Sequence, residues 1–172
     1  MGFETSKVNY HGEQRLMTDI RRNERVEWDN ESLARELGDA VRAAAGEQFP
    51  VSVEGMPYVE PASHLRIYRY APGDYFKTHR DGKFRMGGLL TRITVLAYLN
   101  DADGGETVLM PEGPGHPEKF IEIKPRTGDV LMFRHELLHE GRPIKSGEKF
   151  VLRTDLFYRI TGSDLIPAGT GH

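Results

Sequence analysis

The chain has no cysteine, which excludes disulfides, cysteine zinc sites and cysteine nucleophiles and is compatible with a reducing, cytoplasmic setting. No apolar run approaches the ~20 residues of a membrane-spanning helix, and the amino terminus lacks the basic-then-apolar order of a secretory signal. A soluble protein is expected. Neither sign of charge dominates: 23 Lys and Arg against 26 Asp and Glu give a formal net charge of -3, so there is no general attraction for nucleic acid or an anionic membrane. Met1-Gly2 with Ser6 spells an acylation pattern, but Phe3 follows the glycine and no polybasic cluster supports a second anchor. Internal repeats and low-complexity tracts are missing too, and nothing indicates an obligate protein partner.

What remains, 172 residues with 38% hydrophobic content, fits one domain with its own core. Residues 1–28 are polar and irregular, with a basic cluster at Arg21, Arg22 and Arg25. Asp29 or Asn30 then caps a predicted helix whose Leu33, Leu37, Val41 and Ala44 recur at three- and four-residue intervals, and Gly46 stands where it would stop. From about residue 50 short β-rich runs alternate with Gly, Pro, Asn and Asp. Strands are expected at 64–70, 91–99, 106–110, 120–123, 130–133 and 150–158. Many short strands after one helix suggest a β-sandwich or jelly roll, with residues 81–88 and 111–117 as its rims.

Two metal motifs compete. RHELLHEG contains His135, Glu136 and His139 in the H-E-x-x-H order of zinc metallopeptidases. That chemistry needs both histidines on one face of a continuous helix. The flanking GDVLMF is instead rich in strand formers, and Gly141 and Pro143 close the segment almost at once.

The second motif is THRDG. A histidine and an aspartate two apart on an extended segment share a face, and with a distant histidine they make the facial triad of non-haem Fe(II) oxygenases. Of three H-x-[DE] matches, His11/Glu13 and His116/Glu118 lie in polar or Pro/Gly stretches and read as solvated side chains, whereas His79 and Asp81 follow a plausible strand. Ten residues after His139, Lys149 opens the run KFVLRTDLFY, where it is either a cation for the far carboxylate of an iron-bound dicarboxylate or an ordinary surface lysine. His64, Arg66, Tyr68 and Tyr70 share one face of a strand, which lines a cavity or faces solvent.

RYAPGDYFKTHRDG, RITVLAYLNDADGGETVL and PRTGDVLMFRHELLHEGRPIKSGEKFVLRTDLFY, taken in order, resemble the catalytic domain of prolyl 4-hydroxylase-type Fe(II)/2-oxoglutarate dioxygenases, from about residue 64 to residue 159. The resemblance implies a mainly β domain with a flanking α-helix, the double-stranded β-helix (jelly roll, cupin-like). The expected layout is a single domain over 1–172, with N-terminal helical support to about 60 and the jelly-roll core over about 61–160. It further implies His79, Asp81 and His139 as Fe(II) ligands, Lys149 for the C5 carboxylate of 2-oxoglutarate, and Tyr70 and Thr94 as further partners of that co-substrate. Arg153 shares the face of Lys149 and either binds a carboxylate or pairs with an acid such as Asp155. Dioxygen is the other co-substrate and ascorbate an optional addition.

The implied activity is hydroxylation of an unactivated C–H bond in an amino-acid-like or peptidyl substrate, releasing succinate and CO2. Asp81 fits hydroxylation, since the related halogenases lack that carboxylate. Phe150 stands where the collagen-type pattern commonly has tryptophan, and no separate peptide-binding domain precedes the core, so prolyl specificity is left open. RRNERV (21–26) resembles an arginine-asparagine element ahead of the core in some relatives, and Asn23, Arg25 and Arg66 are candidates to meet substrate. The alternatives are the HELLH zinc peptidase and a non-catalytic jelly-roll binding module. A nucleic-acid demethylase is disfavoured by the acidic balance.

Overall fold

The computed structural model of the protein describes residues 2–10 and 13–161; Met1 of the acylation pattern and His11 of the first H-x-E match lie outside them. The helix runs Glu31–Ala45. The Asn30 side chain accepts a hydrogen bond from the Leu33 N–H at 3.0 Å, and Gly46 closes the helix at φ +53°, a conformation that favours glycine. The face that meets the sheet differs from the predicted leucine stripe: Ala34, Gly38 and Val41 are buried while Leu33 is exposed. The cause is close approach, because a Cβ on Gly38 would lie 2.9 Å from Pro61 Cγ. Small residues let the helix axis come near the sheet, and Leu37 packs at the edge of the core.

Two large antiparallel sheets carry most of the rest, beside two two-stranded ones, Asp103–Gly104 with Ile144–Ser146 and Val8–Tyr10 with Glu13–Arg15. The major sheet runs in the order Glu4–Thr5, Glu24–Asp29, His64–Tyr70, Lys149–Arg159, Leu89–Tyr98, Arg85–Met86. Val130–Arg134 also pairs with Leu89–Tyr98, and Met56–Pro61 with Lys149–Arg159. The minor sheet runs Ile121–Ile123, Thr107–Met110, Leu138–Gly141, Tyr75–His79, Arg21–Arg22. This is the jelly roll that the strand pattern predicted.

Strand alternation divides the work of the major sheet. Ile93, Val95, Leu156 and Tyr158 point out to the helix and form the main core with Val41, Phe49, Val53 and Met56. Each large side chain so buried contributes about 1.5–3 kcal/mol. Thr94, Leu96, Lys149, Val151 and Arg153 point the other way, into the space between the sheets.

The predicted strands are found with ends shifted by a residue or two, and His64–Tyr70 without a shift. The described residues up to 28 are not irregular. Glu24–Asp29 pairs with His64–Tyr70 along its whole length, from Glu24 opposite Arg69 to Asp29 opposite His64. The support expected over about 1–60 is therefore one helix plus strands that complete both sheets.

Candidate metal centre

HELLH does not form a helix. His135 and Glu136 occupy the turn between Val130–Arg134 of the major sheet and Leu138–Gly141 of the minor sheet, and His139 lies in the second strand. The histidines thus diverge. His135 is fully buried and its Nε2 lies 3.2 Å from Asp155 Oδ1, while Glu136 is paired with Lys83 and Arg92. The zinc-peptidase alternative is overturned by this geometry, since its two histidines do not share a face.

His139 instead stands opposite His79 as a cross-strand pair. With Asp81, just past the end of the His79 strand, they place their ligand atoms within 4.8 Å of one another. Asp81 Oδ1 is 3.8 Å from His79 Nε2, and Oδ2 is 3.7 Å from His139 Nε2. Each imidazole is oriented from behind: His79 Nδ1–H donates to the Lys77 carbonyl at 2.7 Å and His139 Nδ1–H to that of Leu137 at 2.9 Å. A carbonyl can only accept, so these bonds fix the tautomer and leave both Nε2 lone pairs aimed at the cluster. Phe76 stacks on His79 with centroids 3.5 Å apart, and Phe133 packs on His139 at 4.5 Å.

The protonation states suit a cation. Burial, followed by the neighbouring His139, pulls His79 down to about 3, and burial lowers His139 as well. Burial alone would raise Asp81, but the Arg153 guanidinium, the two imidazoles and the Thr94 hydroxyl outweigh it and hold the carboxyl at about 2. Near neutrality the cluster is two neutral imidazoles and one carboxylate, the donor set that a divalent ion such as Fe(II) takes.

Deeper in the same cavity, Lys149 opens its strand directly opposite Tyr70. It is 2% exposed. Its Nζ donates to the Gly105 carbonyl at 2.7 Å and lies 4.4 Å from the centre of the Tyr70 ring. Burial lowers it to about 8, so it is charged at pH 7, yet among the described residues it has no carboxylate in salt-bridge contact. The Glu106 carboxylate acts on it from beyond salt-bridge distance and only partly offsets the burial, so an anionic group entering the cavity would be drawn to it. The donor triad and this cation therefore fit Fe(II) and a dicarboxylate together. Gly105 is needed for the arrangement: at φ +68°, a Cβ there would lie 2.2 Å from Ile144 Cδ1 and 3.4 Å from Lys149 Nζ.

The other candidates are placed differently from expectation. Thr94 donates to Asp81 Oδ2 at 2.6 Å, so its hydroxyl serves the carboxylate rather than standing free for a co-substrate. Arg153 donates to Asp81 Oδ1 at 2.8 Å and to Asp155 Oδ1 at 3.1 Å, the ion pair weighed as the alternative for it. Arg66 donates to Asp155 Oδ2 at 3.2 Å and lines a second depression beyond the triad. Arg25 pairs with Glu27 at 3.3 Å and does not line the metal cavity. From the same N-terminal element it is Arg21 that reaches the cavity. Its guanidinium lies 4.4 Å from both the Tyr68 and Phe76 rings and donates to Asn23 Oδ1 at 2.8 Å. Nothing in the sequence separated Arg21 from its basic neighbours, because the signal is its pairing with Phe76 across the minor sheet.

The chain is similar to known proteins in sequence and in fold. A probable prolyl 4-hydroxylase of Arabidopsis thaliana is 40% identical over 76 residues, covering 43% of this chain and 25% of that protein. A putative prolyl 4-hydroxylase of Acanthamoeba polyphaga mimivirus is 32% identical over 118 residues, covering 57% and 45% respectively. The chain spans less than half the length of either relative. Among solved structures, a prolyl-4-hydroxylase of Pseudomonas putida superposes with a TM-score of 0.58 at 20% identity, covering 84% of this chain and 76% of that one. A Trichoplax adhaerens prolyl hydroxylase in complex with a hypoxia inducible factor peptide fragment gives 0.65 at 18% identity, covering 89% and 70%. Both share the fold. Residues 65–154, more than half of the chain, match the family model of the 2OG-Fe(II) oxygenase superfamily, and the chain belongs to that superfamily.

Proposed function

We propose that the protein is an Fe(II)- and 2-oxoglutarate-dependent hydroxylase of amino-acid-like or peptidyl substrates. The observation that carries the reading is the pairing, in one cavity, of the His79–Asp81–His139 cluster with the buried Lys149 cation, which has no salt bridge among the described residues. His79, Asp81 and His139 would hold the iron. Lys149, with the Tyr70 phenol beside it, would hold the C5 carboxylate of 2-oxoglutarate. Burial raises the Tyr70 pKa, which keeps its hydroxyl a donor.

When bound, the iron and 2-oxoglutarate would supply the oxidation, in which substrate, dioxygen and 2-oxoglutarate become hydroxylated substrate, succinate and CO2. The chain's own residues orient and shelter. Arg153 and Thr94 each donate to one Asp81 oxygen and so fix the orientation of the carboxylate that would hold the iron. Phe76, Phe133, Leu96 and Val151 wall the cavity and keep water from the reacting centre. The Trichoplax relative, solved with a peptide fragment bound, supports a peptidyl substrate.

The test is anaerobic addition of 2-oxoglutarate to the Fe(II)-loaded protein, followed by exposure to oxygen. A metal-to-ligand absorption band and succinate formation above a His79→Ala control are expected. If neither appears with any substrate tried, the reading fails.

A further inference from the structure

Beyond the metal centre lies a trough of about 800 Å3 on the major sheet. Arg66, Thr91, Asp155 and Phe157 contribute to it from the sheet; residues 60–64 and the start of the helix form one bank, and Phe84 and Met86 the other. Asp155 is the boundary with the metal cavity, because the Arg153 that it binds at 3.1 Å reaches Asp81 at 2.8 Å. Two linked side chains, Asp155 and Arg153, therefore separate a molecule in the trough from the triad.

Two properties restrict what fits. One bank is apolar and wet: Phe84 and Met86 are 61% and 49% exposed, which marks a contact surface when such residues rim a depression. The other bank is acidic. Four carboxylates (Asp29, Glu31, Glu60 and Asp155) line the trough against two guanidiniums, Arg35 and Arg66. Asp155 is offset by Arg66 and Arg153, and Glu31 by Arg35. Asp29 meets only the His64 imidazole, at 3.2 Å, and the half-buried Glu60 has no salt bridge among the described residues. A ligand that covered Glu60 without bringing a cation would strand a desolvated carboxylate, which is costly.

We propose, resting on the hydroxylase reading, that this trough is the substrate site and takes a polypeptide segment bearing a lysine or arginine side chain. The cation lies against Glu60 and Asp29, and apolar neighbours pack on Phe84, Met86 and Phe157. A surface channel with exposed banks suits a chain passing through it, whereas small molecules are held by enclosure. Nucleic acid is disfavoured because its phosphates would face uncompensated carboxylates.

The test reads binding without turnover. The full chain is loaded with Co(II) and 2-oxoglutarate under argon and titrated against a short fluorescent peptide of Leu, Pro, Gly and Lys, and against its twin with Glu at each Lys position. The lysine peptide is expected to bind at least about tenfold more tightly at low ionic strength. Glu60→Lys removes or reverses that preference, and Phe84→Ala weakens both peptides, while circular dichroism and Co(II) titration report that the variants are folded. Equal affinity for the twins, preference for the acidic one, or no effect of Glu60→Lys overturns the proposal. So does lysine amide that competes as well as the whole peptide, since the occupant would then be a small cation. Absence of succinate with this binding preference intact would instead sink the hydroxylase reading alone.

Discussion

The Arg153 guanidinium donates to Asp81 Oδ1 at 2.8 Å, while the Thr94 hydroxyl holds Oδ2 at 2.6 Å, so both oxygens of the candidate metal carboxylate are pinned by one adjacent pair of strands. Arg153 is itself fixed by Asp155, which burial would raise but which Arg153 and His135 hold well below the usual carboxylate range. Arg153→Gln removes the charge and leaves a shorter, neutral donor. Co(II) affinity is expected to fall by about 10–100-fold, the usual cost of losing a group that orients a metal ligand. A titration followed by cobalt absorption measures it, with Arg153→Lys recovering part of the loss.

Lys149 predicts how co-substrate binding depends on pH. Burial lowers it from 10.5 to about 8, so in the empty cavity its charge is present below about pH 8 and lost above it. Affinity for 2-oxoglutarate is therefore expected to be flat from pH 6 to 7.5 and to fall as the pH rises through 8 and beyond, a bound carboxylate moving the midpoint upward. Lys149→Met should weaken 2-oxoglutarate by roughly a hundredfold, since it removes a charge-assisted bond made in a dry site. Metal affinity should hold. Equilibrium titration of the anaerobic iron band against 2-oxoglutarate at each pH gives both numbers.

The two histidines make the metal-free fold sensitive to acid. His79 is depressed from 6.5 to about 3 and His139 moves the same way, so below 6.5 the unfolded chain takes up protons that the folded one refuses. Stability is fully present above that value and is lost as the pH falls from 6.5 towards 3. Urea unfolding at pH 7.5, 6 and 5 should give decreasing midpoints. His79→Gln should remove part of the slope, and a wild-type midpoint that did not move would contradict the burial of neutral imidazoles.

The residues that were legible before the structure are those whose chemistry shows within a few positions. His79 and Asp81 share a strand end, and Lys149 stands at the head of a long apolar run, so ordered local blocks identified them. His64–Tyr70 was readable because its residues alternate. Glu24–Asp29 was not, since ERVEWD has no clean alternation and its exposure is mixed along the strand; its place comes from pairing with a distant partner. The roles of Arg21 and Thr94 were hidden for the same reason. Each is defined by a contact across sheets or between neighbouring strands, which spacing along the chain does not record.

RHELLHEG shows this limit most sharply, because its letters are those of a zinc site and its backbone is a sheet-to-sheet turn. His135 lies against Asp155 and His139 against His79 and Asp81, so their substitutions should separate. His139→Ala is expected to abolish Fe(II) and Co(II) binding with little loss of fold, as it removes one of three ligands from a partly open cavity. His135→Gln preserves a polar group near Asp155 and should leave metal stoichiometry at one, while lowering stability by about 1–3 kcal/mol for a disturbed buried network. Metal content after dialysis, read beside a urea melt, distinguishes them. A His135→Gln protein that lost its metal with its stability intact would return His135 to the ligand set and undo the assignment made to His79 and Asp81.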